Sequence, residues 1–370
     1  MIALWLAACG GASEAPPPAA SPAAREEAPA RQPIVVKPGE REARWAKARC
    51  NDGTPFAYTY RPGTSDTWVV HLSGGAFCDE SRSMCSDRKP RLITTRPEAD
   101  GAPATPVKSQ GVLSPRPGVN PTFADAHHVD AHYCSSDLWL GTSEARQPNS
   151  ADPDGWYFSG RLHVAALIEA LPALHGLDPA TDKVLLVGTS AGGAGLVGNL
   201  DQFAEAWPAM VGGGRMKAVV DGAWVADLPE SSEPPRAERW GPLQKACADD
   251  LSSRGEDPGR CVIGPVWWPH VEPLSVPILV QISGADSFQT TVLGIDTPEE
   301  LDSWRSTVHD TLQALPWVFS AAHRYHIVAI DPLFAKGPQG SQFRDLLHRF
   351  WAGEAPERWI RGYGQGSPSH

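Results

Sequence analysis

Residues 184–195 have the sequence VLLVGTSAGGAG, in which a serine lies between two glycines directly after an apolar run. An apolar run is followed by Gly188, Ser190 and Gly192 in a G-x-S-x-G pattern, and helical spacing resumes after the serine. Glycines suit both positions because the turn brings strand and helix so close that larger side chains would clash. A phosphate-binding loop is the competing interpretation, but neither a basic residue nor a ribose-binding acid follows. The stretch therefore predicts a buried strand, a sharp turn that presents Ser190 as a nucleophile, and a helix.

Around this turn, short β-branched runs alternate with longer helical patterns, as an α/β domain requires. Two long excursions rich in proline, 90–125 and 228–275, are typical of rims or lids over a site. We predict a single α/β-hydrolase domain over 41–370, with a mostly parallel central sheet, flanking helices, Pro/Trp-rich insertions and disulfides. Strands are predicted over 67–72, 128–133, 183–187, 218–221 and 277–282, and helices over 160–174, 298–315, 342–351 and after Ser190.

The first forty residues differ from the rest of the chain. Residues 1–9, MIALWLAAC, look like the end of a bacterial lipoprotein signal with Cys9 as the lipidated residue, although an ordinary secretory signal is the alternative. Residues 10–40 are rich in Ala and Pro and poor in large apolar side chains, so we predict a disordered tether. The chain is therefore expected to be exported, either as a membrane-anchored lipoprotein facing the periplasm or cell surface, or as a secreted protein.

Six cysteines remain once Cys9 is assigned to the lipid, and an even number in an exported chain indicates disulfides. Cys78 with Cys85, and Cys247 with Cys261, are near enough in sequence to close small loops, so Cys50 and Cys134 remain as the third pair. Zinc is disfavoured because no CxxC pair exists and the histidines are not spaced with the cysteines, so no metal site is expected. The expected pairs are Cys78 with Cys85, Cys247 with Cys261, and Cys50 with Cys134.

The formal charge of −11 and the lack of a Lys/Arg cluster argue against nucleic acid as a partner. A serine hydroxyl instead needs a base, and the base needs an orienting acid. In α/β hydrolases the acid follows the serine in the chain and precedes the histidine. Asp286 is favoured because it follows the predicted strand 277–282, at the strand end where ligands bind in open sheets. Asp221 would then be a structural or site-lining acid.

Three histidines lie downstream as candidates for the base. His348 falls inside the last predicted helix, where a surface or packing role is more common. His323 and His326 flank an Arg-Tyr pair after an apolar run, and their surroundings in the sequence do not separate them.

An acyl-transfer site also needs donors for the oxyanion of its tetrahedral intermediate. The sequence SGGA at residues 73–76 follows the predicted strand 67–72, in the position of the glycine-rich loop that supplies such donors. We therefore expect the backbone N–H groups of Gly75, Ala76 and Ala191 to form the oxyanion hole.

Several segments together resemble the pectin acetylesterase/Notum family of serine carboxylesterases. The resemblance implies Ser190 as nucleophile, Asp286 as orienting acid and His326 as base, because His323 takes the place of a cysteine that often precedes the family's base. It also supports the same oxyanion donors and the pairs Cys78–Cys85 and Cys50–Cys134. The segments that carry it are HLSGGAFCDESRSMCSDR (71–88), GVLSPRPGVNP (111–121), HYCSSDLWLG (132–141), LLVGTSAGGAG (185–195), QISGADSF (281–288) and HRYH (323–326).

One departure from the family pattern bears on specificity. The residue after the second glycine is commonly Trp in this family, whereas here it is Ala76, followed by Phe77. The backbone donor survives this change, but the wall beside the acyl group differs.

The expected function is a serine carboxylesterase that works through an acyl-enzyme without a cofactor. Its default substrates are O-acetyl or other short acyl esters of polysaccharides or small molecules, and a monomer is expected. One alternative is a deacylase of longer-chain acylated protein or lipid, in which Trp267 and Trp268 either line the acyl pocket or pack within a folded lid. The other alternative is a non-catalytic surface binding protein that retains the fold.

Overall fold

The computed structural model describes residues 34–78, 85–96, 108–227 and 245–361, and a nine-stranded sheet runs through them. The strands are β1 (Ile34–Val36), β2 (Tyr58–Arg61), β3 (Thr67–Leu72), β4 (His127–Ala131), β5 (Lys183–Thr189), β6 (Met216–Asp221), β7 (Ile278–Gln281), β8 (Trp317–Ala321) and β9 (Arg358–Arg361). Their order across the sheet is β1-β2-β4-β3-β5-β6-β7-β8-β9. β1, β2 and β4 pair antiparallel, and all neighbours from β4 to β9 pair parallel.

Strand β5 lies in the middle of the parallel part, between β3 and β6. Its side chains alternate between the two faces of the sheet, so Val184 and Leu186 join one apolar cluster while Leu185 and Val187 join another. A parallel strand covered on both faces is apolar along its whole length, and this explains the unbroken VLLV run.

Helices cover both faces. They are α1 (Pro38–Arg41), α2 (Gly160–His175), α3 (Ala191–Ala206), α4 (Pro208–Gly212), α5 (Lys245–Ser253), α6 (Gly264–Val271), α7 (Ser287–Val292), α8 (Pro298–Leu312) and α9 (Gly337–Ala352). The longer ones match the predicted helices, and α8 begins as its sequence indicates, with Pro298 in its first turn and a capping box between Thr297 and Glu300. The predicted fold class, a mostly parallel sheet flanked by helices with disulfides, is confirmed.

The N-terminal boundary differs from the expectation. Strand β1 lies within 10–40, the stretch predicted to be a disordered tether, and pairs with β2 from Ile34 opposite Tyr60 to Val36 opposite Tyr58. The β-branched sequence IVV gains ladder hydrogen bonds there, and Val36 is fully buried. The ordered part thus extends N-terminal to Arg41. The predicted lipoprotein signal with Cys9 lies outside the described residues.

Three disulfides join segments that the sheet alone would leave apart. Cys50–Cys134 links the chain before β2 to the end of β4, and Cys78–Cys85 closes a loop after β3. Cys247–Cys261 ties α5 to the segment that leads into α6. These are the pairs expected from the sequence. None of the helices in the described ranges has the length and apolar character needed to cross a membrane.

Candidate active site

The functional candidates lie together at one edge of the sheet. The loops that leave the carboxyl ends of β3, β5, β7 and β8 carry Ala76, Ser190, Asp286 and His326 in turn. Because neighbouring parallel strands end at the same edge, side chains more than a hundred residues apart in the chain become neighbours there.

The turn after β5 holds Ser190 in an unusual backbone conformation. Its φ is +54°, a region that side chains other than glycine rarely adopt. A Cβ at Gly188 would lie 2.2 Å from the Gly192 carbonyl oxygen, and one at Gly192 would lie 1.9 Å from the Leu72 carbonyl oxygen. The two flanking glycines are therefore required by close backbone contact, and the serine is raised into the site at the start of α3.

The three predicted triad residues form one chain of hydrogen bonds. His326 Nε2 lies 2.7 Å from Ser190 Oγ, and His326 Nδ1 lies 2.7 Å from Asp286 Oδ2. The Asp286 side chain is fully buried, whereas the imidazole of His326 is partly exposed at the cavity. Both distances are within proton-transfer reach. The ring of Phe288 packs over the imidazole with 4.7 Å between ring centroids, which limits its rotation.

The orientation of Asp286 is fixed by the first turn of α7, which it caps. Its Oδ1 accepts hydrogen bonds from the backbone amides of Phe288 at 3.0 Å and Gln289 at 2.9 Å. The other oxygen is left to face His326. A buried carboxylate that is hydrogen-bonded in this way selects the imidazole tautomer with a proton on Nδ1, so that Nε2 is the acceptor toward the serine.

The second acid candidate, Asp221, has a different task. Its carboxylate accepts hydrogen bonds from the amides of Val328 at 3.0 Å and Ala329 at 2.7 Å, just beyond His326. Its backbone oxygen accepts the amide of Ser190 at 2.8 Å. Burial raises the pKa of Asp221 to about 7. Asp221 thus links the nucleophile turn to the loop that carries His326, a structural role.

The other two histidines stand apart from the serine. His323 Nδ1 accepts the amide of Tyr325 at 3.2 Å, within its own loop, and burial lowers the pKa of His323 to about 4. His348 is exposed on α9, where its Nδ1 lies 3.2 Å from the Thr122 hydroxyl oxygen. The tertiary structure therefore separates His326 from the alternatives that the sequence left open.

Two of the three residues predicted to supply oxyanion donors lie at the cavity beside Ser190. Ala76 and Ala191 line the same cavity as Ser190, and within the described residues neither amide has a hydrogen-bond acceptor. Gly75 is outside this lining, and a Cβ on it would meet Leu92 at 2.7 Å. The geometry favours the amides of Ala76 and Ala191 as the pair of donors.

The cavity beside Ser190 has a volume of about 110 Å³ and an almost entirely apolar wall. Trp267 and Trp268 do not line it, and Trp267 is buried against Trp224 with ring centroids 5.2 Å apart. Within the described residues, no group of three or more metal-ligating side chains occurs. The lining residues include Phe77, Leu138, Ala194, Ala223, Val225, Val262, Ile263, Phe288, Val292 and Leu293.

The family model described as Pectinacetylesterase matches residues 40–333. The chain belongs to the pectinacetylesterase family. Among curated relatives of this chain, the palmitoleoyl-protein carboxylesterase NOTUM of Drosophila melanogaster is 31% identical over 283 residues, which are 72% of this chain and 40% of the relative. The protein of the same name from Homo sapiens is 32% identical over 187 residues, which are 48% of this chain and 34% of the relative. The chain thus spans less than half the length of these curated relatives.

A solved structure, the Wnt deacylase Notum from Drosophila, superposes on this chain with a TM-score of 0.68. The sequence identity is 24%, and the match covers 86% of this chain and 95% of the other. At that identity the likeness supports the fold. The family predicted from the quoted segments is confirmed.

Several contacts of this candidate active site have no signal in the sequence. The cavity wall combines side chains from separate segments, among them Val225, Ile263 and Leu293, and none of these lies in a distinctive motif. Phe288 stood in a quoted segment, but its packing on His326 depends on the helix that Asp286 caps. Only the three-dimensional arrangement brings these residues together.

Proposed function

We propose that this chain is a carboxylic ester hydrolase with Ser190 as nucleophile, His326 as general base and Asp286 as the acid that orients the base. The observation that carries the proposal is the unbroken hydrogen-bonded chain Asp286–His326–Ser190, which ends in an apolar cavity with two available amides. A surface binding protein without catalysis would have no need of a strained serine at that position.

The proposed reaction proceeds through an acyl-enzyme. Ser190 Oγ attacks the ester carbonyl carbon while its proton moves to His326 Nε2, and the amides of Ala76 and Ala191 stabilise the oxyanion. The bond to the alcohol oxygen breaks, and the alcohol leaves with the proton from His326. A water molecule then gives a proton to His326 and attacks the acyl carbon. The carboxylic acid is released and the Ser190 hydroxyl is restored.

The apolar cavity favours an acyl group longer than the acetyl group expected by default. A single methyl group would leave most of a cavity of about 110 Å³ empty, whereas a chain of several methylenes would bury apolar surface along its wall. Each buried methylene contributes about 0.8 kcal/mol, or roughly fourfold in kcat/KM. For the alcohol part of the ester we propose a polysaccharide, a small molecule or a protein.

A comparison of p-nitrophenyl octanoate with p-nitrophenyl acetate tests both the activity and the acyl class. We expect kcat/KM for octanoate to exceed that for acetate by about tenfold or more, because two or more methylenes enter the cavity. Val225→Phe, which fills the cavity, is expected to lower octanoate turnover about tenfold and to change acetate turnover less than threefold. The matched control Val225→Ala keeps the space and should retain the preference. Equal rates for the two esters would refute the acyl assignment, and no turnover of either would refute the hydrolase.

The role of Asp286 is tested by Asp286→Asn, which keeps the shape of the side chain and its ability to cap α7. Loss of the charge removes the partner that fixes the histidine tautomer, so we expect kcat to fall about 10³- to 10⁴-fold. Asp331→Asn is the matched control, because Asp331 also caps a short helix through a 2.8 Å bond to a backbone amide. A similar small effect of both substitutions on kcat would assign Asp286 a capping role alone.

The placement of the protein in the cell is part of the same proposal. Three disulfides fit an oxidising compartment, as expected for an exported chain. We propose anchoring through a lipidated Cys9, with residues between it and β1 as tether, and a monomeric catalytic domain. The N-terminal anchor is supported by the sequence of residues 1–9 alone.

A further inference from the structure

A second histidine–aspartate pair lies directly behind the nucleophile turn. His71, at the end of β3, has its Nδ1 2.6 Å from Asp130 Oδ1 on β4 and its Nε2 2.9 Å from the hydroxyl oxygen of Thr189 on β5. All three side chains are buried, and Thr189 immediately precedes Ser190. The proposed reaction uses none of them.

The direction of these hydrogen bonds follows from the protonation states. Burial lowers the pKa of His71, so the imidazole is neutral and carries one proton. Burial alone would raise the pKa of Asp130, but Lys108, His71 and Ser73 together hold it below its usual range, so Asp130 is ionised. A carboxylate only accepts, hence His71 Nδ1–H donates to Asp130. His71 Nε2 must then accept the Thr189 hydroxyl proton.

The same carboxylate also reaches the loop that follows β3. Asp130 Oδ1 accepts the Ser73 hydroxyl at 2.8 Å, and Asp130 Oδ2 pairs with the ammonium group of Lys108 at 3.4 Å. Lys108 donates to the Ser73 hydroxyl oxygen as well. Ser73 begins the loop that carries Ala76, one of the two proposed oxyanion donors. We call the group Thr189, His71, Asp130, Ser73 and Lys108 the His71–Asp130 network; its members are buried except for Lys108, which is partly exposed.

The network therefore contacts two segments, the turn that carries Ser190 and the loop that carries Ala76. Their relative position sets the distance between the nucleophile and the oxyanion donor. The segments touch at Gly74, where a Cβ would lie 2.5 Å from the Thr189 carbonyl oxygen and 2.8 Å from Ser190 Cβ. No side chain lies between the two segments at Gly74, so their relative position depends on hydrogen bonds next to this contact. The hydrogen bonds of Thr189 on one side and of Ser73 on the other, both ending on the His71–Asp130 pair, supply such groups.

We infer that His71 and Asp130 are positioning residues of the proposed esterase, which fix the Ser190 hydroxyl relative to the amide of Ala76 through Thr189 and Ser73. The inference rests on the proposed function. Thr189, His71 and Asp130 have the residue types of a catalytic triad but do not act as one. Thr189 and His71 are fully buried, so no substrate reaches them. His71 and Asp130 instead hold the nucleophile at a fixed distance from the oxyanion donor, and this distance is critical for acyl transfer.

The test uses Thr189→Val, which keeps the side-chain shape and removes the hydroxyl donor. With p-nitrophenyl octanoate we expect kcat, per active site titrated with a fluorophosphonate, to fall about tenfold or more while KM stays within twofold. A trifluoromethyl ketone with the same acyl chain, which forms an oxyanion on Ser190, should bind more weakly by about the factor lost in kcat. Thr189→Ser retains the donor and should restore most of the kcat.

Thr95→Val is the matched control, since Thr95 is also buried and donates its hydroxyl to a carbonyl oxygen, that of Pro55, at 2.9 Å. It should lower Tm and leave kcat unchanged. Unchanged kcat in Thr189→Val, with a Tm loss like that of Thr95→Val, would overturn the inference. If Thr189→Val does not fold, Ser73→Ala is judged by the same criterion. A parent enzyme without turnover would refute the proposed function as well, whereas an active parent and unaltered variants refute only this inference.

Discussion

Replacing Ser190 by alanine is expected to lower kcat for p-nitrophenyl octanoate by about 10⁶-fold, the loss typical of removing a triad serine. The alanine has no oxygen to form the acyl-enzyme, and the neighbouring hydroxyl of Thr189 is engaged with His71 on the other side of the turn. Water activated by His326 next to the two oxyanion amides would support only the small residual rate. Initial rates at saturating ester, with circular dichroism to verify folding, measure the effect.

Ser306→Ala, on the exposed side of α8, is the control for this substitution and should match the parent. Hydrolysis by Ser190→Ala at more than about one hundredth of the parental kcat would mean that the nucleophile is another residue. The geometry leaves little room for that result, since within the described residues Ser190 is the serine whose hydroxyl contacts His326.

His326→Ala is expected to cost nearly as much, about 10⁵- to 10⁶-fold in kcat, because nothing else at the site can take the serine proton. Asp286 is bonded to the far side of the ring and lies on the wrong side of it to reach Ser190. Fluorophosphonate labelling of Ser190 should slow in parallel, because that reaction also begins with proton removal from the hydroxyl. Stopped assays with purified variants at pH 7–8 measure both rates.

The matched control is His323→Ala, three residues earlier in the same loop. His323 faces its own loop, where it accepts the amide of Tyr325, so kcat is expected to stay within about threefold of the parent. The reverse pattern, in which His323→Ala is inactive and His326→Ala is active, would contradict the assignment. It would also require the loop to adopt a different conformation during turnover.

The nucleophile turn and the orienting acid can both be predicted from the sequence, for physical reasons. The nucleophile turn is determined by local sterics, because the glycines at 188 and 192 and the serine between them are adjacent in the chain. Asp286 can be identified because it follows the end of a predicted strand, where ligands bind in parallel sheets generally. Both signals are local or topological, and both can be seen in one sequence.

The choice between His323 and His326 depends instead on the tertiary structure. Both lie in the same irregular loop, and which ring points at Ser190 depends on contacts made elsewhere, such as the hydrogen bonds from Val328 and Ala329 to Asp221. Residues alone left that choice open, and the family resemblance favoured His326. The cavity was equally hidden, because its wall is assembled from five or more separate segments.

The N-terminal boundary was misjudged for a related reason. Ile34–Val36 is a short apolar run after a long stretch rich in Ala and Pro, and it forms a strand because β2 offers an edge for it to pair with. The Trp-rich part of the 228–275 excursion illustrates the opposite case. Trp267 packs against Trp224 and Trp268 rather than facing the cavity, the folded-lid alternative considered from the sequence.

The central claim is that Ser190, activated by His326, becomes covalently attached to the acyl group. The most direct test is to mix the parent protein with p-nitrophenyl octanoate, quench in acid within milliseconds, and map the adduct by peptide mass spectrometry. We expect one octanoyl group per molecule, on Ser190, and none in Ser190→Ala. An octanoyl group on any other residue, or turnover without an acyl-enzyme at Ser190 together with failure of fluorophosphonate to label it, would show that Ser190 is not the nucleophile.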